Sequence, residues 1–192
     1  MSYSTIQPPF TLKFGEMSAL ELTRYRTWFL EVKPERIREL NNEICKEVKW
    51  ESNYSRDSIE QLGVWISHHV ETRPREVEDI TLIKGRTAFN FDASANELTN
   101  RTFSIAVDAG MYFGEALIRQ HHRLKWEQSL KSKRFADFGQ MVLVGFSQQG
   151  ILNPVRIVVN FCYGVASGQH KASRFIEVYG YWSRLADEAD LR

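Results

Sequence analysis

Cysteine is scarce in this sequence: only Cys45 and Cys162 occur, far apart and neither in a Cys-x-x-Cys pair. That excludes a disulfide framework and a paired-cysteine metal knuckle, and both thiols are expected to be free and buried. An excess of one charge is also missing, since 25 Lys and Arg stand against 24 Asp and Glu. No net field draws the whole molecule to nucleic acid or an anionic membrane surface. Long apolar runs are absent, none approaching the roughly 20 residues that span a bilayer. The start, "MSYSTIQPPF", shows no basic segment followed by an apolar one, so a cytoplasmic protein without a membrane segment is expected. G-x-S-x-G, a Gly-rich phosphate loop and an i, i+4 pair of zinc-binding histidines are missing as well. No cofactor and no metal are expected.

What is present is enough to fold. A hydrophobic content of 43% with 12% aromatics lies far from disordered compositions, and 192 residues without repeats or linkers suit one domain over 1–192. Apolar spacing predicts about six helices. Ser18 caps the first, through "ALELTRYRTWFLEV"; Pro34 opens a second, "PERIRELNNEICKEVKW", forming a hairpin with it. Its apolar face would hold Ile37, Leu40, Ile44 and Val48. Asn53 or Ser55 starts the third, through Val70, and Ser94 or Asn96 caps the fourth, over about 98–121. Asn153 and Pro154 begin the fifth, which Gly168 stops, and "KASRFIEVYGYWSRLADEA" is the last. Short strands are predicted at "FTLKF", "DITLIKG", "LKWEQSL" and "MVLVGF". The class is therefore a helix-rich α+β domain with a small sheet of short strands.

Chemistry concentrates on the fourth helix. Asp108, Tyr112, Glu115, Arg119 and His122 follow at intervals of 4, 3, 4 and 3, which sets them on one stripe of an otherwise apolar helix. Read as a scaffold, the stripe is a ladder in which Glu115 pairs with Arg119 and Asp108 bonds Tyr112 or caps a neighbouring helix. Read as a site, Asp108, Glu115 and His122 would line the cleft of a small hydrolase or metal-dependent enzyme. The two carboxylates lie about two turns, or roughly 10 Å, apart, too far for comfortable joint metal ligation. Gly110 and Gly114 on the same helix predict the close approach of another element, and a large residue at Gly114 should overpack it by roughly 1–3 kcal/mol.

The remaining candidates are aromatic and basic. His68-His69 and His121-His122 are neighbours pointing about 100° apart, so neither pair forms a metal site. "RQHHRLKWEQSLKSKRF" interleaves basic residues with Trp126 and Phe135, but acids elsewhere cancel its charge and argue against nucleic acid. Five tryptophans are many for this length. Trp28, Trp65 and Trp182 fall on core faces, whereas Trp50 and Tyr54 flank a polar loop and suit a protein contact surface.

The segments "WFLEVKPERIREL", "SRDSIEQLGVWI", "AVDAGMYFGEALIRQHHRLKW" and "MVLVGF...LNPVRIV", in that order, resemble a group of bacterial proteins of unknown function. The D-x-G-x-Y-F-G-E run from Asp108 to Glu115 and the later Trp126 carry the resemblance most clearly. It implies a bacterial accessory protein and no catalytic residues. By analogy with small immunity and defence proteins, the expected role is non-catalytic binding of a toxin or another protein through Trp50, Tyr54, Tyr112, Arg119 and Trp126. The enzyme built on Asp108, Glu115 and His122 is the alternative.

Overall fold

The computed structural model describes residues 3–76 and 95–190. Ser18 opens the first helix, α1 (Ala19–Ile44), by the reciprocal cap its sequence suggests: its hydroxyl takes the N–H of Glu21, and the Glu21 carboxylate takes its own. Pro34 does not start a second helix. It lies inside α1, so the predicted hairpin of two helices is one helix of 26 residues. An interior proline costs about 3 kcal/mol. Phe29 and Ile37, eight residues apart across Pro34, stay in phase and are both buried with Leu40 and Ile44. Each such side chain contributes about 1.5–3 kcal/mol when buried, which outweighs the missing backbone bond. Because α1 ends at Ile44, Val48 falls past its end and is 47% exposed, against expectation.

Ser55 caps α2 (Arg56–His69) and Thr99 caps α3 (Asn100–Gln120). Asn96 belongs instead to strand β2 (Asn96–Leu98), which pairs antiparallel with β1 (Thr72–Pro74). Neither strand is predicted from sequence, since both are three residues long and β1 contains a proline. "DITLIKG" and Ser94 lie outside the described residues. "FTLKF" is a turn-bearing segment rather than a strand. Strands β3 (Lys125–Gln128) and β4 (Met141–Val144) form a second antiparallel pair with Trp126 opposite Leu143, and a single bridge joins Leu143 to Leu152. Asn153 caps α4 (Pro154–Ala166), and α5 (Ser173–Asp190) follows Gly168, whose φ of 74° ends the preceding turn. The class is α+β as expected, with five helices among the described residues and two small sheets rather than one.

Helix α3 is the axis of the molecule. Every residue from Ser104 to Gly114 is buried, and α1, α2, α4 and β2 all pack on it. Both glycines are close-approach points, as their spacing predicts. A Cβ on Gly110 would stand 2.6 Å from the Cα of Val155 in α4, and one on Gly114 would enter the ring of Trp126 from β3. Phe113 reaches the other side, edge-on to Phe175 and Tyr179 of α5.

Candidate functional site

The stripe on α3 is not a single row. A helix advances about 100° per residue, so Asp108 and Glu115 lean to one side of the stripe and Tyr112 and Arg119 to the other. Two neighbours divide them.

On the first side stands α1. Arg36 donates from Nε to Asp108 Oδ1 at 2.9 Å and from Nη2 to Oδ2 at 2.7 Å. Tyr3 adds its hydroxyl to Oδ2 at 2.5 Å, and Arg36 also reaches that hydroxyl. The Asp108 side chain has no exposed surface. Burial pushes its carboxyl up to about 6, against the hydrogen bonds and charge of Arg36, which work to lower it. One level along, Lys33 pairs with Glu115, and the Trp126 indole donates to the same Glu115 oxygen at 2.8 Å. Further along, Arg101 donates to Glu43 at 2.8 Å. Burial works to raise the Glu43 carboxyl, but Lys46 and Arg101 outweigh it and hold the group below its ordinary range. Pairs 33 with 115, 36 with 108 and 43 with 101 run in opposite chain order, the mark of antiparallel helices. The ladder expected within α3 does not form, since Glu115 does not pair with Arg119, nor Asp108 with Tyr112; the rungs run between two helices instead.

On the second side stands the loop before α2. Tyr112 shares a hydrogen bond of 2.7 Å with Ser58 and accepts the N–H of Tyr54 at 2.9 Å. Tyr54, with φ of 61°, stacks on Tyr112 at 4.8 Å between centroids and carries the guanidinium of Arg119 4.0 Å from its ring centroid. Trp50 is 3% exposed and donates to the carbonyl of Ser58 at 3.0 Å. Five residues were expected at a contact surface. Trp50 and Tyr112 are core, Trp126 is held by Glu115 and packed edge-on to Phe29, and Tyr54 and Arg119 form a stacked pair at the surface.

The alternative catalytic trio is not assembled. His122 lies exposed beyond the end of α3, whereas Asp108 and Glu115 are enclosed by Arg36, Tyr3, Lys33 and Trp126. Among the described residues no group of three His, Cys, Asp or Glu stands where it could hold a metal ion. His121 is buried, bonding Ser183 at 2.9 Å, and His69 bonds the carbonyl of Trp65 at 2.7 Å. Cys162 is buried, and desolvation pushes its thiol up to about 12; Cys45, expected to be buried, is exposed. Among the described residues no helix is long and apolar enough to cross a membrane.

An open concavity lies elsewhere, along the β3–β4 hairpin. It has a volume of about 630 Å³, with Val142 and Val144 in its lining beside Leu130, Phe146 and Ile151. Met141 and Leu143 face the core, so β4 is apolar on both faces. Leu130 is 51% exposed and Ile151 41%. The charged lining is Glu127, which pairs with Lys125 at 3.7 Å, and Lys131, for which no acidic partner stands among the described residues. Sequence reading passed over this groove because "MVLVGF" reads as a buried strand. Its unbroken apolar run, with no polar alternation, was the available signal. Comparison with known protein families, with curated proteins and with solved structures finds no match.

Proposed function

We propose that the protein is a non-catalytic binding protein whose partner is another protein, an immunity-type role being the nearest analogy, and that it receives an extended apolar segment of that partner across the β3–β4 hairpin. The groove beside Val142 and Val144, rimmed by half-exposed Leu130 and Ile151, carries this reading. Concave apolar surface with a few polar groups at its edge is where side chains of a partner anchor. Edge strand β3 has one strand neighbour among the described residues, so its outer backbone is in place to add a strand. Between Arg123 and Arg134 five basic residues face one acid, Glu127, which selects a partner segment with acidic residues beside its apolar ones. The resemblance to uncharacterised bacterial proteins is compatible with such a role and supplies no chemistry of its own.

Selection from a random displayed peptide library tests the reading. Enriched peptides should combine apolar and acidic residues, and Leu130→Asp or Ile151→Lys should weaken their binding at least tenfold while leaving thermal unfolding unchanged. Enrichment without an apolar and acidic pattern, or equal binding by both variants, would overturn it.

A further inference from the structure

Strand β3 has one edge without a strand neighbour among the described residues. The N–H of Ser129 bonds the carbonyl of Gln140, so every second residue back along the chain, Glu127 and then Lys125, also turns its backbone toward β4. Trp126 and Gln128 turn theirs the other way, as Leu143 of β4 does to reach Leu152. On that outer side no backbone partner of Trp126 or Gln128 stands among the described residues. Open edges recruit another strand unless a proline, a bulge or a repelling charge guards them. Here β3 contains no proline, its register with β4 is unbroken, and its two charges, Lys125 and Glu127, are of opposite sign.

This edge is complementary to itself. Two copies of β3 set antiparallel about Trp126 bring its outward N–H and C=O opposite those of the second copy, where each donates one bond and accepts one. The same pairing sets Lys125 opposite Glu127 of the second copy, twice by symmetry. These residues fall between the hydrogen-bonded positions, where opposed strands come to about 4.5 Å and their side chains interact most closely. Both side chains are exposed, Lys125 at 72% and Glu127 at 50%, on the face that carries Val142 and Val144. Moving the centre by one residue either way sets Lys125 or Glu127 opposite its own copy. Charge therefore selects the pairing about Trp126.

We infer that β3 pairs with β3 of a second copy of this chain, forming a symmetric dimer whose register is set by two facing pairs of Lys125 and Glu127. The two hairpins then make one four-stranded sheet. A few backbone bonds and two ion pairs at an exposed edge give a weak, reversible association rather than a permanent one. The inference shares an edge with the proposed partner segment but does not rest on that reading. Peptide selection reports on the groove beside Leu130 and Ile151, self-association reports on the edge, and either can fail alone.

Sedimentation equilibrium of the full chain, at concentrations up to about 1 mM, tests it. Salt at about 0.15 M, with a Debye length of about 8 Å, screens the other basic residues of the segment more than the two facing pairs. The natural chain should show a reversible equilibrium of monomer and dimer. Lys125→Glu faces acid with acid twice, and Glu127→Lys faces base with base twice. Each should raise the dissociation constant about ten-fold or more. Combining Lys125→Glu with Glu127→Lys exchanges the charges without losing their complementarity, and should return the constant to within about three-fold of the natural one. Should one single variant not fold, the other decides beside the double variant. A chain monomeric at every concentration, a dimer indifferent to the single changes, or a double variant that associates no better than the singles would each overturn the inference.

Discussion

Arg36 and Asp108, 72 residues apart in the chain, meet by two parallel N–H to oxygen bonds at 2.9 and 2.7 Å in a place with almost no solvent. This pair fixes where α1 lies on α3, because a planar guanidinium and a carboxylate match in one orientation only. It also fastens the N-terminal segment, through Tyr3. Stability, rather than catalysis, is where its removal should register.

Replacing Arg36 with Met should destabilise the fold by about 3–5 kcal/mol at neutral pH, since a buried carboxylate is left without its partner. The double change to Arg36→Met and Asp108→Leu should recover much of that loss, as an apolar pair of similar volume carries no buried charge. Urea unfolding of the two variants beside the natural chain measures both quantities. A double variant less stable than the single one would contradict this account.

The raised carboxyl of Asp108 gives a pH dependence of definite sign. Its ordinary value of 3.8 applies to the unfolded chain, and burial takes it to about 6 in the folded one. Between those values the folded state holds a proton that the unfolded state has released. The stability contributed by that proton is therefore complete below about pH 4 and is lost as pH rises through about 6, at up to about 1.4 kcal/mol per pH unit. Asp108→Asn should be less stable throughout yet lack this component of the slope. Carboxylates such as Glu43, held below their ordinary range, contribute the opposite slope, so the difference between the two proteins is the quantity to follow.

Gly110 and Gly114 should both resist substitution, for different reasons. Alanine at Gly110 meets the backbone of Val155, which cannot rotate away, and should cost about 1–3 kcal/mol despite the better helix propensity of alanine. At Gly114 the obstacle is the Trp126 ring. Its displacement breaks the indole bond to Glu115, so Gly114→Ala should shift tryptophan fluorescence as well as lower the unfolding midpoint. An unshifted emission spectrum with unchanged stability would show that the ring has room to move.

Local features were legible where short-range chemistry decides them. Ser18, Ser55 and the Asn153-Pro154 pair mark their helix starts because a cap involves residues three apart, and the apolar phase of α3 announces burial whatever surrounds it. Pro34 was misleading because the continuity of Phe29 with Ile37 across it is a property of one core face, and proline statistics weigh only the missing bond. The strap of Tyr3, the rungs from Lys33 and Arg36, and the enclosure of Glu115 could not be read at all. They join positions 11 to 105 residues apart, and no periodicity links an acid on one helix to a base on another.

The amino-acid sequence alone therefore determined the α+β class, the central apolar helix and the polar residues it carries, because propensity, capping and hydrophobic period act within a few residues. Which side of α3 each polar residue turns to, and that Trp50 is core while Leu130 and Ile151 rim a groove, was decided only by the tertiary structure. Those outcomes depend on which distant surfaces bury one another, and burial is a property of the assembled whole.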